Sequence, residues 1–281
     1  MRADGSIDWE AHERLVRWHV ESGTAGVVPM GTTGESATLN THEHLEVISR
    51  TIEVANGRIS VVAGTGSNST EETLHQTKEA ESLGADACLL VTPYYNRPTQ
   101  EGLYAHFKKV AETTSVPLVL YNVPGRTGCD LLPETIGRLS SIEGIVGIKE
   151  ASGKIERVSE IRSVSARDFF ILSGEDALTL EIMNNGAVGT ISVTANVLPK
   201  AMAEFCDSFL SGNIKRASAI DEVLQSVHEI LFIESNPTPA KWALHQMGII
   251  HEGIRMPLLP LSSRYRSELK KRIDEAMEAL K

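Results

Sequence analysis

Cysteine is scarce in this chain. Cys88, Cys129 and Cys206 are the only three in 281 residues, and none lies close enough to another to suggest a disulfide framework or a metal cluster. Cys88 falls inside a strand-like apolar run and reads as a small buried hydrophobe. Long apolar runs are also missing. No stretch reaches the roughly 18 consecutive apolar residues of a membrane span, and the start, Met1-Arg2-Ala3-Asp4-Gly5, has no apolar segment behind it to act as a signal peptide. Excess positive charge is absent too. The formal net charge is −10 with the nine histidines counted as neutral, which argues against a nucleic-acid footprint or an anionic membrane partner. It leaves acidic substrates open, because local arginines override the mean field. Together these absences predict a reduced, cytoplasmic protein. What is present is apolar material, 41% of the chain, and a length that suits one large α/β domain or one with an appendage.

Apolar runs and helical periodicities alternate from residue 8 to residue 193. Strands are expected to start near residues 26, 59, 87, 116, 145, 169 and 189, seven in all. Helices are expected at 8–21, 41–55 (capped by Thr41), 69–83, 100–113, from 133, and at 154–164. Strict alternation implies right-handed crossovers and a parallel sheet. Seven parallel strands fit a (β/α)8 TIM barrel one strand short, or a doubly wound open sheet. The barrel is preferred because Thr32, Thr33, Tyr95, Tyr121, Arg126, Lys149 and Gly174 all fall at or just past strand ends, where barrels build their sites. After residue 197 the pattern turns helical, over 201–210, 214–233, 239–247 and 264–280, with Asn236-Pro237-Thr238-Pro239 as a turn. The expected division is a barrel domain over 1–212 and a C-terminal helical domain over 213–281.

The strand Gly144-Ile145-Val146-Gly147-Ile148-Lys149-Glu150 carries the most informative residue. An apolar, Gly-bounded run reads as a strand buried on both faces, and Lys149 ends it. Desolvation there disfavours the ammonium and lowers its pKa, leaving an amine able to condense with a ketone or aldehyde. The bland reading is a snorkelling lysine, or one paired with Glu150 or another acid. Gly31-Thr32-Thr33-Gly34 follows a strand and precedes a helix. It reads either as a tight βα turn or as a cradle of N–H groups and two hydroxyls for a small carboxylate. It lacks the lysine of a P-loop and the spacing of a dinucleotide fingerprint. Tyr121, ending the strand before that of Lys149, reads as rim packing or as a proton relay with a nearby hydroxyl such as Thr33. Arg126, in a Pro-Gly-Arg-Thr-Gly loop, reads as a surface arginine or a bidentate carboxylate clamp. The adjacent Tyr94 and Tyr95 suggest contact with a ligand or another subunit. His42 and His44, two apart on a helix start, share no face and make a poor metal pair.

Gly31-Thr32-Thr33-Gly34-Glu35, Tyr121-Asn122-Val123-Pro124 with Arg126-Thr127-Gly128, and Gly147-Ile148-Lys149-Glu150 together resemble the pyruvate-dependent class I aldolase family, from about residue 4 to the C-terminus. The resemblance implies a condensation of pyruvate with L-aspartate 4-semialdehyde in lysine and diaminopimelate biosynthesis. Lys149 would form the Schiff base, so that no cofactor or metal beyond this covalent imine is called for. Tyr121 would shuttle protons through Thr33 to Tyr95, the last entering from a neighbouring subunit. Thr32 and Thr33 would hold the pyruvate carboxylate, Arg126 the carboxylate of the aldehyde, and Gly174 and Ile191 would line the pocket. Ser36, Ala37, His44, Asn68, Glu72 and Tyr94 resemble the ligands of an allosteric L-lysine site, and the family suggests a homotetramer.

Members of the family begin with a strand ending in Thr-Pro, followed by a loop similar to residues 1–8; this chain begins at that loop. The expectation is a barrel lacking its first strand. Either the start codon is misplaced, or the chain is truly short with unpaired edges beside the gap. Two other functions fit the same residues less well. One is a lyase for another 2-keto acid, such as N-acetylneuraminate or a keto-deoxy sugar acid; the other is a non-catalytic, truncated paralogue.

Overall fold

The computed structural model describes all 281 residues. They form two compact units, one of Met1–Ser60 with Ser192–Lys281 and one of Val61–Ile191.

The second unit alternates strands with helical segments. After β2 (Ser60–Gly64), whose first residue belongs to the other unit, come α3 (Thr70–Leu83), β3 (Ala87–Val91), α4 (Gln100–Ala111) and β4 (Leu118–Asn122). A single helical turn, α5 (Pro124–Thr127), and α6 (Pro133–Leu139) lead to β5 (Ile145–Glu150), then α7 (Glu156–Val164), β6 (Phe170–Ser173) and α8 (Thr179–Asn184). All strand pairs from β2 to β6 are parallel and follow chain order. This is the sheet that the alternation predicts.

Short of the strands' C-terminal ends, the buried side chains of β3, β4 and β5 are apolar, as parallel strands covered by helices require. Cys88, Leu90, Leu118, Leu120, Ile148 and Ile171 have no exposed surface, and Leu103, Phe107, Val110, Ile136, Leu139, Val158 and Ile161 of the helices are equally buried. Each such Leu or Ile contributes about 1.5–3 kcal/mol on leaving water. The helices start where sequence says they should: Ser69 accepts from the Glu72 N–H and Thr99 from the Gly102 N–H. A register shift interrupts the β4–β5 ladder: Leu118 is opposite Ile145 but Val119 is opposite Gly147, so Val146 is passed over. Beyond the shift Tyr121 stands opposite Lys149 and Asn122 opposite Glu150. Gly147 is forced by packing, because a Cβ there would lie 2.4 Å from the Phe170 ring.

The expected strand at 189–193 is reduced to one bridge, Ser173 with Thr190. The Ile191 N–H still donates to the Ser173 carbonyl, but the chain then coils into a 3-10 turn at Thr194–Asn196.

The first unit holds α1 (Trp9–Glu21), β1 (Gly26–Val27) and α2 (Thr41–Ala55), followed after residue 192 by α9 (Pro199–Leu210), α10 (Ile214–Ile230), α11 (Thr238–Gln246) and α12 (Ser263–Ala279). β1 is far shorter than the expected 26–30. Pro29 has no N–H to give a ladder, and Met30 is left-handed at φ 62°. The cap of α2 is Asn40, not Thr41: Asn40 accepts from the Glu43 N–H while the Glu43 carboxylate accepts from the Asn40 N–H. Helix α10 packs against α9 and α12 and buries Ala217, Ile220, Leu224 and Val227 at helical spacing. No helix is long and apolar enough to cross a membrane.

Candidate active site

Lys149 is the last residue but one of β5, and its neighbours on both sides are fixed by register: Tyr121 of β4 and Leu172 of β6. Its Nζ lies 4.2 Å from the centroid of the Tyr121 ring, whose residue is 8% exposed. Lys149 keeps some solvent contact by area, yet protein surrounds the ammonium densely enough for desolvation to dominate. Its pKa is lowered from 10.5 to about 8, with desolvation the largest cause. Asp176 and Glu175 oppose the lowering by charge, and Arg126 adds to it.

Glu150 does not pair with Lys149. Alternation sends the two side chains to opposite faces of the strand, and the buried Glu150 carboxylate accepts from the Asn122 side chain at 3.1 Å and the Ser152 N–H at 2.7 Å. Burial raises the Glu150 pKa. Asn122 also donates to Asp130 at 2.9 Å, and its Oδ1 accepts from the Leu131 N–H. Asp130 in turn takes two hydrogen bonds, 2.9 and 3.0 Å, from the Arg157 guanidinium. One polar network thus fastens the ends of β4 and β5 to the loop that follows Arg126.

Arg126 sits in the single turn α5, a piece of helix that the Pro-Gly-Arg-Thr-Gly pattern did not suggest; Gly128, at φ 69°, ends it. The Tyr95 N–H donates to the Thr127 carbonyl at 3.3 Å, so the two loops are joined. Tyr95 is 90% exposed and holds a left-handed φ of 73°. Tyr94 is 41% exposed. Gly174 donates its N–H to the Glu150 carbonyl at 2.8 Å. A Cβ at Gly174 would lie 2.7 Å from Ala151 Cβ and 2.9 Å from Lys149 Cε, so the chain passes directly against the lysine stem. Ile191 follows on the remnant of the seventh strand.

Thr32 and Thr33 belong to the first unit, in a 3-10 turn at Thr32–Gly34. Thr33 Oγ1 accepts from Asn236 Nδ2 at 3.0 Å. Glu35, next in the loop, is left-handed at φ 58° and 6% exposed. Its carboxylate pairs with Lys241 and accepts from the Arg255 N–H at 2.9 Å. The Arg255 guanidinium holds Glu43 through both carboxylate oxygens and donates to the Thr38 and Gly5 carbonyls. Arg255 keeps the Glu43 carboxyl down at about 2. None of Asn236, Lys241 or Arg255 stood out in the sequence beyond the Asn-Pro-Thr-Pro turn.

Of the expected effector residues, Asn68 and Tyr94 meet through the Asn68 side chain and the Tyr94 carbonyl at 3.1 Å. Glu72, in the first turn of α3, accepts from Ser67 at 2.6 Å and Gln76 at 3.2 Å. Ser36 and Ala37 lie in a 3-10 turn before α2, and His44 is buried on α2.

A parallel α/β sheet with a lysine of lowered pKa at a strand's C-terminal end, beside a buried tyrosine, is the arrangement of an imine-forming aldolase. The comparisons agree. Residues 1–276 match the dihydrodipicolinate synthetase family. A 4-hydroxy-tetrahydrodipicolinate synthase of Methylococcus capsulatus is 54% identical over 276 residues, 98% of this chain and 95% of that protein. The crystal structure of a chloride-inhibited dihydrodipicolinate synthase from Acinetobacter baumannii, complexed with pyruvate, is 50% identical with a TM-score of 0.97, covering 99% of this chain and 95% of that one. That of the synthase from Cyanidioschyzon merolae, with lysine bound, is 36% identical with a TM-score of 0.95 and the same coverage. The chain belongs to the dihydrodipicolinate synthetase family, and its fold is of the TIM-barrel-like α/β kind.

Proposed function

We propose that the chain condenses pyruvate with L-aspartate 4-semialdehyde to 4-hydroxy-tetrahydrodipicolinate, the committed step towards diaminopimelate and lysine. The observation that carries this is the lysine itself: Lys149 has a pKa of about 8 and stands 4.2 Å over the Tyr121 ring, inside a family whose related synthase is solved with pyruvate.

The neutral Lys149 amine adds to the pyruvate ketone. Loss of water from the carbinolamine gives a protonated imine. That imine is an electron sink, so a methyl proton can leave and an enamine forms; the chemistry needs no other cofactor. The enamine carbon attacks the aldehyde, the substrate's own amine closes on the imine carbon, and Lys149 is released. Thr32 and Thr33 hold the pyruvate carboxylate, and Tyr121, Thr33 and Tyr95 carry the protons. Arg126 holds the carboxylate of the aldehyde as a bidentate partner; its placement on a short helical turn, tied to the Tyr95 loop, supports a fixed position. Gly174 and Ile191 line the pocket.

The exposed, left-handed Tyr95 supports a homotetramer in which a neighbouring subunit covers it. Asn68, Glu72 and Tyr94, with Ser36, Ala37 and His44, are the residues proposed for L-lysine inhibition, following the lysine-bound relative. The six strands and the bridge at Thr190 are proposed as seven of the eight staves of a barrel, followed by a helical appendage, in a cytoplasmic enzyme.

Borohydride reduction in the presence of pyruvate, read by intact mass and peptide mapping, tests the reading. A pyruvyl adduct on Lys149 is expected, together with turnover of aspartate semialdehyde and not of sugar aldehydes. No adduct on folded protein overturns it.

A further inference from the structure

Arg126 is exposed and sits on a turn of only four residues, too short to hold itself together as a helix. Its charge is nevertheless felt at both Lys149 and Glu175, so the turn stands beside the amine. It begins directly after β4, whose last residue, Asn122, accepts at its carbonyl from the Ala151 N–H at 2.9 Å, just past the end of β5. The residue next to Arg126 is buried: Thr127 is 4% exposed.

A hydroxyl offers one hydrogen and two lone pairs, and Thr127 uses all three. Its Oγ1 accepts from the Cys129 N–H at 3.2 Å and from the Thr92 hydroxyl at 3.3 Å. Its hydrogen goes to the Cys129 carbonyl at 2.9 Å, with the Val123 carbonyl the longer alternative at 3.2 Å. Thr92 is wholly buried, and its own N–H donates to the Tyr121 carbonyl at 2.9 Å. The hydroxyl therefore folds the turn back onto the end of the strand it left, where Tyr121 stands opposite Lys149. The Thr127 carbonyl takes the Tyr95 N–H, and Gln100 at the start of α4 donates to the Asp130 carbonyl at 2.7 Å, so the loop is held from a second element as well. We infer that Thr127 is a positioning residue: its hydroxyl holds the turn so that the Arg126 guanidinium meets the carboxylate of the second substrate. The inference rests on Arg126 binding that carboxylate, as proposed above.

Thr127→Val keeps the branched shape and removes the hydroxyl, leaving the Thr92 hydroxyl and the Cys129 N–H without their acceptor. With pyruvate saturating, KM for aspartate semialdehyde is expected to rise and kcat/KM for it to fall about 10- to 100-fold, the scale of a displacement of about 1 Å. Borohydride trapping of pyruvate on Lys149 should stay within about twofold, since the lost contact belongs to the other substrate. Thr127→Ser restores the hydroxyl and should restore KM. On an Arg126→Leu background, Thr127→Val should alter kcat/KM by less than about twofold, because it acts through a guanidinium no longer there. Thr77 is the control, equally buried with its hydroxyl 2.9 Å from that of Thr65; Thr77→Val should leave the aldehyde KM where it is.

No turnover of aspartate semialdehyde by the wild type overturns the proposed reaction. Turnover with an unchanged KM in Thr127→Val, an additive loss in the double variant, or an equal rise in Thr77→Val overturns the role of Thr127 alone. Amide exchange read by mass needs no substrate. Thr127→Val should speed exchange over residues 123–131 and leave that of α3 unchanged; equal protection of the loop in both proteins overturns the inference.

Discussion

Replacing Asp176 by Asn should make Lys149 a better nucleophile at neutral pH. Asp176 is the largest electrostatic influence holding the Lys149 proton on, against the desolvation that drives it off. With a pKa of about 8, about 10% of the amine is neutral at pH 7, against about 0.03% for an ordinary lysine, a gain of roughly 300-fold. Losing one nearby negative charge at an effective dielectric of about 20 is worth roughly 1–2 kcal/mol, or about one pH unit. The neutral fraction at pH 7 then rises from about 10% to about 50%, and the rate of imine formation about fivefold. At pH 9 the amine is neutral in both proteins and the rates converge.

The assay is the single-turnover rate of pyruvyl-lysine formation, quenched with borohydride and counted by mass, from pH 5.5 to 9.5. The wild-type midpoint should fall near 8 and that of Asp176→Asn near 7. Arg126→Leu should move the other way, because Arg126 lowers the Lys149 pKa. A wild-type midpoint above 10, or an upward move on losing Asp176, would refute the account of how this site activates its lysine.

Other consequences follow from packing and burial. Gly147→Ala puts a methyl 2.4 Å from the Phe170 ring, so urea unfolding should show a loss of about 1–3 kcal/mol for an overpacked core; an unchanged midpoint would mean that the ring yields freely. Gly174→Ala presses on Ala151 and on Lys149 Cε. It should lower kcat about 10- to 100-fold by displacing the amine, and normal turnover in folded protein would contradict the close approach. His12, His19 and His106 are each pushed down to about 4 by burial. Unfolding frees them to take protons below about 6.5, so stability is complete above that pH and should decline as pH falls from 6.5 towards 4. Urea midpoints measured across that window check the slope, and the triple His→Gln protein should be flatter there.

The strand-and-helix alternation was legible because its signal is local: apolar runs such as Ala87–Val91 and Ile145–Glu150 need no partner to be recognised. Two strands were overread for reasons that are also local. Pro29 and Met30 stop β1 after Val27, and the chain after Ile191 turns into a 3-10 coil. At α2 both Asn40 and Thr41 are good capping residues, and only the reciprocal bond to Glu43 decides for Asn40. Lys149 and Tyr121 stood out because a charge and a phenol at the ends of apolar strands are unusual. The long-range partners of the Gly-Thr-Thr-Gly-Glu loop and of α2 did not. Asn236 with Thr33, Lys241 with Glu35 and Arg255 with Glu43 are each separated by more than two hundred residues, and no periodicity reports a pairing at that range. Arg157 with Asp130 hid for another reason: each is an ordinary polar residue until the fold buries Arg157 to 4% exposure.

The register shift between Leu118 and Val119 has a meaning for how such a chain tolerates change. Side chains in a strand alternate in direction, so the residue skipped at Val146 decides which face Lys149 occupies and that Tyr121 is its neighbour. Substitutions around the amine are analogue controls: they move its proton affinity or its position by degrees. Length within 145–148 is a digital one. Deleting Ile148, with the shift at Val146 kept, hands the Tyr121 position to Glu150 and turns the lysine towards the opposite face, with every atom of the nucleophile still encoded. Drift in this segment can rewrite letters other than Gly147, whereas a change in their number past the shift moves the lysine itself.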